Sequence, residues 1–265
     1  VSQMLRKLYS LKSFVVNGKN GKLGKVDDFY FDQHQFVVRY LVIDTGNWLE
    51  HEQTLISTHA IDKVDFDNSE IHVDLSSEQL EDSPSIEKNE PISKAKEKAL
   101  IEYFGWPDYW KKTHSSDSEL IHAGITERKK LLDFKTLKKE EEAKHKADIV
   151  ATNLRSLEEV RGYKIHAKYD KFGHLEDLFV EEEDSWIVRY LLIDTRNILE
   201  GKSVLIAPDW IESISWFDKE IFVNKDKKEI EDSPEYEEPK AAKDFIDKNY
   251  EELLYDHYDE KKYWE

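Results

Sequence analysis

Val37–Thr45 reads VVRYLVIDT, and Ile187–Thr195 reads IVRYLLIDT. The two stretches sit 150 positions apart, and an Arg-Tyr pair, a run of aliphatics and an Asp-Thr exit recur together in both. Each is a nearly continuous, β-branched apolar run too short for a helix, which predicts a largely buried strand. A segment repeated at a fixed offset points first to a duplicated architecture.

The match extends outward from these strands. Gly173–Phe179 (GHLEDLF) answers Gly24–Tyr30 (GKVDDFY), and one extra residue in the 181–186 hairpin then restores the offset of 150. Leu205-Ile206 answers Leu55-Ile56, Ile221-Phe222-Val223 answers Ile71-His72-Val73, and Glu231–Pro234 repeats the EDSP of Glu81–Pro84 unchanged. Within one copy, apolar stretches at Leu8–Val16 and Leu23–Phe31, a Gly/Asn turn at 17–21, a tip at Gln33-His34 and the alternation of Glu70–Leu75 predict five or six short strands in a small, strongly bent sheet or barrel. A helix is expected over Pro91–Phe104, capped by Ser93 and stopped at Gly105 before the aromatic group Trp106-Pro107-Asp108-Tyr109-Trp110. The second copy closes with a helix over Ala241–Tyr258, and Tyr263-Trp264 stands as a degenerate counterpart of Tyr109-Trp110. Between the copies, Asp133–Asp148 (DFKTLKKEEEAKHKAD) lacks Gly and Pro and predicts a solvated, charged helix. The expected organisation is a first domain with its trailing helix at 1–114, a helical linker at 115–153 and a second domain with its trailing helix at 154–265. The fold class is mainly β with helices, as two tandem small barrels joined by that charged helical connector.

Composition narrows the function classes. Of the 265 residues 39% are hydrophobic and 36% charged, which suits small domains with much surface. A formal net charge of −18 disfavours direct binding of a nucleic-acid backbone and docking on an anionic membrane. The chain has no cysteine, so thiolate metal sites, disulfides and cysteine nucleophiles are excluded. No apolar run approaches a membrane span, and VSQMLRKLYSLKSFVV at the start lacks a signal-peptide core. A cytoplasmic protein is the expectation.

The candidate recognition residues are those that the repeat singles out: Arg39, Tyr40 and Asp44, with Arg189, Tyr190 and Asp194, joined by Trp106, Tyr109 and Trp110. On a regular strand, Arg39 and Asp44 point to opposite faces, because their separation is odd. Each therefore either anchors a local network or serves one of two equivalent partner-binding sites. His51, His59 and His72 have no histidine counterparts in the second copy, and no metal-ligand spacing occurs, so neither a metal nor any cofactor is expected. Asp27-Asp28 and Glu176-Asp177 are repeated acidic pairs, yet neighbours on a strand face apart and serve a shared-proton dyad poorly. No nucleophile elbow or phosphate loop occurs, so no catalytic residues are assigned and no enzyme is expected.

At Gly21–Asp28 (GKLGKVDD), Val38–Asp44 and the aliphatic patch before Ala60-Ile61, the chain resembles the PRC-barrel family, the small β-barrel of the photosynthetic reaction centre H subunit and of the ribosome maturation factor RimM. The tail, LSSEQLEDSP followed by PISKAKEKALIEYFGWPDYW, is similar to that of stand-alone bacterial PRC-barrel proteins. The resemblance covers nearly the whole chain apart from 115–153. It implies a barrel used for docking in assembly or maturation rather than a shared catalytic centre. The expected function is a non-enzymatic, protein-binding adaptor or assembly factor. The alternatives are a ribosome-associated maturation factor acting through a ribosomal protein, and a small-molecule sensor or uncharacterised enzyme. A protein partner and self-association, as in a homodimer, are expected, with no direct nucleic-acid contact and no membrane insertion.

Overall fold

The computed structural model describes residues 5–46, 54–84, 92–109, 153–168, 170–181, 185–195, 202–237 and 245–265. Apart from Asn153, the expected charged connector lies outside the described residues, as does Trp110. The first half runs β1 (Leu5–Lys7), a 3-10 turn (Leu8–Leu11), β2 (Val15–Gly18), β3 (Gly21–Asp32), β4 (Val37–Asp44), β5 (Thr54–Ser57), a 3-10 turn (Thr58–Ala60), β6 (Ile61–Asp65), β7 (Glu70–Val73), α1 (Ser77–Glu81) and α2 (Lys94–Phe104). The second half runs β8 (Leu154–Ser156), α3 (Leu157–Val160), β9 (Lys164–Ala167), β10 (Asp170–Glu181), β11 (Ile187–Asp194), β12 (Ser203–Ile206), a 3-10 turn (Pro208–Trp210), β13 (Ile211–Ser215), β14 (Glu220–Val223), α4 (Lys227–Glu231), β15 (Phe245–Ile246) and α5 (Lys248–Tyr258). The helix expected from Ala241 begins only at Lys248, because Phe245–Ile246 pairs with β1 as a strand.

The same ladders form in both halves. β3 lies antiparallel between β2 and β4, β5 adds to β4, and β7 pairs β6 antiparallel and β2 parallel. In the second half β10 lies between β9 and β11, β12 adds to β11, and β14 pairs β13 antiparallel and β9 parallel. Glycine is required at one repeated crossing: a Cβ at Gly24 or Gly173 would collide with the carbonyl oxygen of Asp44 or Asp194 on the neighbouring strand.

In place of two closed barrels, the ladders draw one open path, β13-β14-β9-β10-β11-β4-β3-β2-β7-β6. Closure is interrupted where the 3-10 turns at Thr58–Ala60 and Pro208–Trp210 carry the chain round a corner. Among the described residues β5 pairs only β4, and β12 pairs only β11.

The halves are joined by reciprocal exchange of their first strands. β1 pairs with β10, the long strand of the other half, at Leu5↔Glu181 to Lys7↔Phe179. β8 in turn pairs with β3 at Tyr30↔Ser156 to Asp32↔Leu154. A carboxylate secures each exchanged element. Asp28 accepts the Ser156 hydroxyl and, at 3.2 Å, the Glu158 N–H at the start of α3. Asp177 accepts the Tyr9 N–H at 3.1 Å and its neighbour's, Leu178, at 2.8 Å. The repeated acidic pairs thus contribute Asp28 and Asp177 as holds on the opposite half.

A second joint lies at Phe36 and Trp186, both buried and both at a φ of 53°. Left-handed backbone at a bulky residue costs roughly 1–2 kcal/mol. Here it belongs to a symmetric junction, where Val38 N–H donates to the Trp186 carbonyl at 2.9 Å and Val188 N–H to that of Phe36 at 2.7 Å. One hydrophobic cluster runs through both halves, from Leu5, Leu8 and Phe29 to Val188, Ile221 and Leu254. Among the described residues, no helix is long and apolar enough to cross a membrane.

Two outcomes follow from these joints. A chain carrying a protease site between 115 and 150 should elute after cleavage as one particle of unchanged size, because four ladders and a shared core cross between the halves; separation of the pieces without denaturant would refute the exchange. The second concerns Asp177, whose carboxyl burial pushes up from 3.8 to about 7. Its protonated form is therefore favoured in the folded state, so this contribution to stability is fullest below the unfolded value and is lost as pH rises through the folded one. Asp177→Asn keeps the Oδ1 acceptor and removes the titration. Its Tm should gain on wild type between about pH 4 and about pH 8, and parallel pH profiles would contradict the assignment.

Candidate functional site

Arg39 and Tyr40 belong to a bulge. Tyr30 pairs Tyr40 while Phe31 pairs Val38, leaving Arg39 as the extra residue of β4; Phe179↔Tyr190 and Val180↔Val188 leave Arg189 so in β11. The extra residue shifts the alternation. Val38, Leu41 and Ile43 therefore share the main core, while Tyr40 and Val42 turn to the other face with Leu55, Ile92, Leu100 and Leu154. The regular-strand reading of Arg39 and Asp44 fails at this point, because it assumed no bulge.

α2 covers that second face. Ser93 caps it by accepting the Lys96 N–H at 3.2 Å, and Gly105 ends it in the left-handed region, with the Trp106 N–H returning to the Ile101 carbonyl at 3.1 Å. The turn brings Tyr109 back over the helix. Glu97, with no side-chain surface exposed, accepts the hydroxyls of Tyr40 (3.2 Å) and Tyr109 on Oε1, and Lys94 Nζ stands 3.7 Å from Oε2. Arg39 lays its guanidinium over the Tyr109 ring, 4.1 Å from the centroid.

The second half builds the same cluster. Asp247 caps α5 by accepting the Tyr250 N–H at 2.8 Å, and Asp259 ends it at a φ of 50°. Glu251 Oε1 accepts the hydroxyls of Tyr190 and Tyr263, each at 2.8 Å, with Lys248 Nζ 3.6 Å from Oε2. Arg189 stacks on Tyr263 at 4.1 Å. Tyr263 thus does what Tyr109 does, although the surrounding GWPDYW is not repeated. Burial, then the neighbouring carboxylate, raises the Tyr40 and Tyr109 phenols far above the ordinary range. They remain donors at any ordinary pH. Burial also raises Glu97, against the Tyr109 hydrogen bond and Lys94.

Arg39, Tyr40, Trp106 and Tyr109 come together, as do Arg189 and Tyr190. Trp106 stacks on Phe104 at 4.2 Å and tilts against Tyr40 at 6.2 Å. Asp44 and Asp194 lie at the far end of their strands, opposite Lys25 and His174, roughly 16 Å from the arginines at ~3.3 Å per residue. Asp44 there accepts the Gly46 N–H at 2.9 Å. The residues missed from sequence are Glu97, Glu251, Lys94 and Lys248. Their signal was a common offset of 154 shared with Tyr109 and Tyr263. Among the described residues, no group of three or more His, Asp or Glu side chains is placed to hold a metal ion.

Residues 13–80 match the family model described as the PRC-barrel domain. The match runs from the end of the first 3-10 turn through β2–β7 into α1, and so spans the strands that carry Arg39 and Tyr40. A search of curated proteins finds no match to the chain.

Chemically the cluster is a clamp. A carboxylate whose oxygens face two phenols and a lysine, enclosed from water, fixes a helix to a sheet. Tyr190→Phe should lower the unfolding free energy by about 1–2 kcal/mol, and Glu251→Ala, which strands two phenols, by about 3 kcal/mol. Urea unfolding reads both, and values near zero would mean that the clamp does not hold α5.

Proposed function

We propose that this protein is a non-enzymatic binding module, an adaptor or assembly factor, made of two PRC-barrel-like units of which the second is a diverged copy. The observation that carries the reading is how the repeated polar residues are used. Arg39, Tyr40, Glu97 and Tyr109, with Arg189, Tyr190, Glu251 and Tyr263, engage one another and hold helix to sheet. Conserving such holds in both copies maintains a scaffold; it does not position a reacting molecule. The match over 13–80 supports the same reading, since this domain is a compact module rather than one catalytic centre.

The net charge of −18 favours a basic partner, through complementary potential and faster encounter. A basic ribosomal protein has that chemistry, which keeps ribosome maturation as the second reading. Self-association has a weaker basis than the aromatic residues first suggested, since Trp106, Tyr109, Tyr263 and Trp264 are packed in part against their own sheet and helix.

The test is a quantitative pull-down with the full chain from its source lysate, with an RNase-treated arm. A stoichiometric basic protein should be retained after RNase and released as salt rises from about 0.1 to about 1 M, where the screening length falls from ~10 to ~3 Å. Intact ribosomes in place of one partner would favour the maturation reading. With no stoichiometric partner and a ligand-induced rise in Tm across a metabolite panel, the adaptor reading fails in favour of a sensor.

A further inference from the structure

The two clamps differ at one place. In both, a tyrosine ring covers one face of the guanidinium and leaves its in-plane edge to an acceptor. At Arg189 that acceptor is a carboxylate: Glu181 Oε2 takes Nε at 2.8 Å and Nη2 at 2.6 Å. This edge-on, charge-assisted arrangement is the strong form of the contact.

At Arg39 the corresponding carboxylate is close enough to act on the guanidinium's charge, yet it is engaged elsewhere. The ladder counterpart of Glu181 is Asp32, one methylene shorter, and its Oδ1 caps the β3–β4 hairpin by accepting the His34 and Gln35 N–H groups, each at 2.8 Å. Arg39 Nη2 donates to the neutral amide oxygen of Gln35, while its Nε is buried and has no hydrogen-bond partner among the described residues. A second acid is also replaced nearby. His59, beside Arg39, stands at the position of Asp209 in the second half. One half therefore satisfies its arginine internally, and the other leaves the same edge to a side chain on a hairpin tip.

We propose that Arg39 is a carboxylate-binding site, with Gln35 as the side chain that a bound carboxylate displaces. The ligand takes the place that Glu181 holds at Arg189, bridging Nε and Nη2. It is either a small organic acid or a carboxylate carried by a protein chain, as a side chain or a C-terminus. The chain's distant negative charge is screened beyond about 8 Å at physiological salt. Asp32 and Glu97 act on Arg39 at closer range and oppose an anion there, so the exchange of the Gln35 amide for a charge-assisted contact at the guanidinium edge has to outweigh them. The site stands whether or not the adaptor reading holds.

The full chain, labelled with 15N-arginine, is titrated with sodium acetate against sodium chloride of equal ionic strength, and the Nε–Hε resonances are followed. The Arg39 resonance should move saturably and that of Arg189 should not. Gln35→Glu, which supplies the carboxylate internally, should abolish the response, and Gln35→Ala should tighten acetate binding about fivefold by removing the competing hydrogen bond. A tripeptide blocked at both ends with a central glutamate, and a triglycine with a free C-terminus, separate the two ligand sources; binding of either adds protein carboxylates to the class, and acetate alone narrows it to small acids. No saturable movement at Arg39, or movement that persists in Gln35→Glu, overturns the proposal. A blank pull-down would leave a positive result intact, so the two failures are distinguishable.

Discussion

A carboxylate taken out of water costs several kcal/mol unless hydrogen-bond donors replace its solvation. This fold supplies such donors, in partial exchange, to four acids, and each time at least one donor comes from a different element. Asp28 and Asp177 hold the elements exchanged between the halves, and Glu97 and Glu251 hold the trailing helices. Remove the donors and each acid would have to seek water, pulling its joint open. The acidic composition thus has two parts: a solvated majority on the surface, and these few whose burial makes the packing of distant segments mutually dependent.

Much of the framework was legible in the chain, because duplication repeats the local signals. The turn glycines, the double VVRYLVIDT-type strand and the alternation at Ile71, Val73 and Leu75 all mark elements by local chemistry. What escaped was pairing at a distance. Leu5-Arg6-Lys7 and Leu154-Arg155-Ser156 carry nothing that names the opposite half as their partner. The bulge at Arg39 exists only relative to β3, so a single strand read alone puts Arg39 on the wrong side. Glu97 sits in KAKEKALIEYF, where a glutamate among lysines reads as a solvated face. Only its burial beneath Tyr40 and Tyr109 shows otherwise. The helices keep their own spacing of 154, so aligning them separately from the strands would have paired Glu97 with Glu251.

Duplication within one chain also permits inequality. In a homodimer, a change at Arg39 would appear in both subunits and alter both clamps at once. Here Arg189 keeps its carboxylate while Arg39 makes do with an amide, and Asp209 stands where the first half has His59. The stable half can carry the architecture while the other changes. The same holds at the helix ends, where Gly105 and Asp259 adopt one left-handed conformation with different residues.

The exchange of first strands also sets a timetable for synthesis. Tyr9 is made about 170 residues before Asp177, a delay of roughly 10–30 s at ~5–20 residues per second. Until then β1 has no partner, and the stretch of β3 at Tyr30–Asp32 waits, as an open edge, for β8. A nascent first half is therefore an incomplete object with an exposed strand, of the kind that invites pairing with a neighbouring nascent chain. Carrying the second copy on the same polypeptide keeps the correct partner close at hand, at an effective concentration that no separate chain would match.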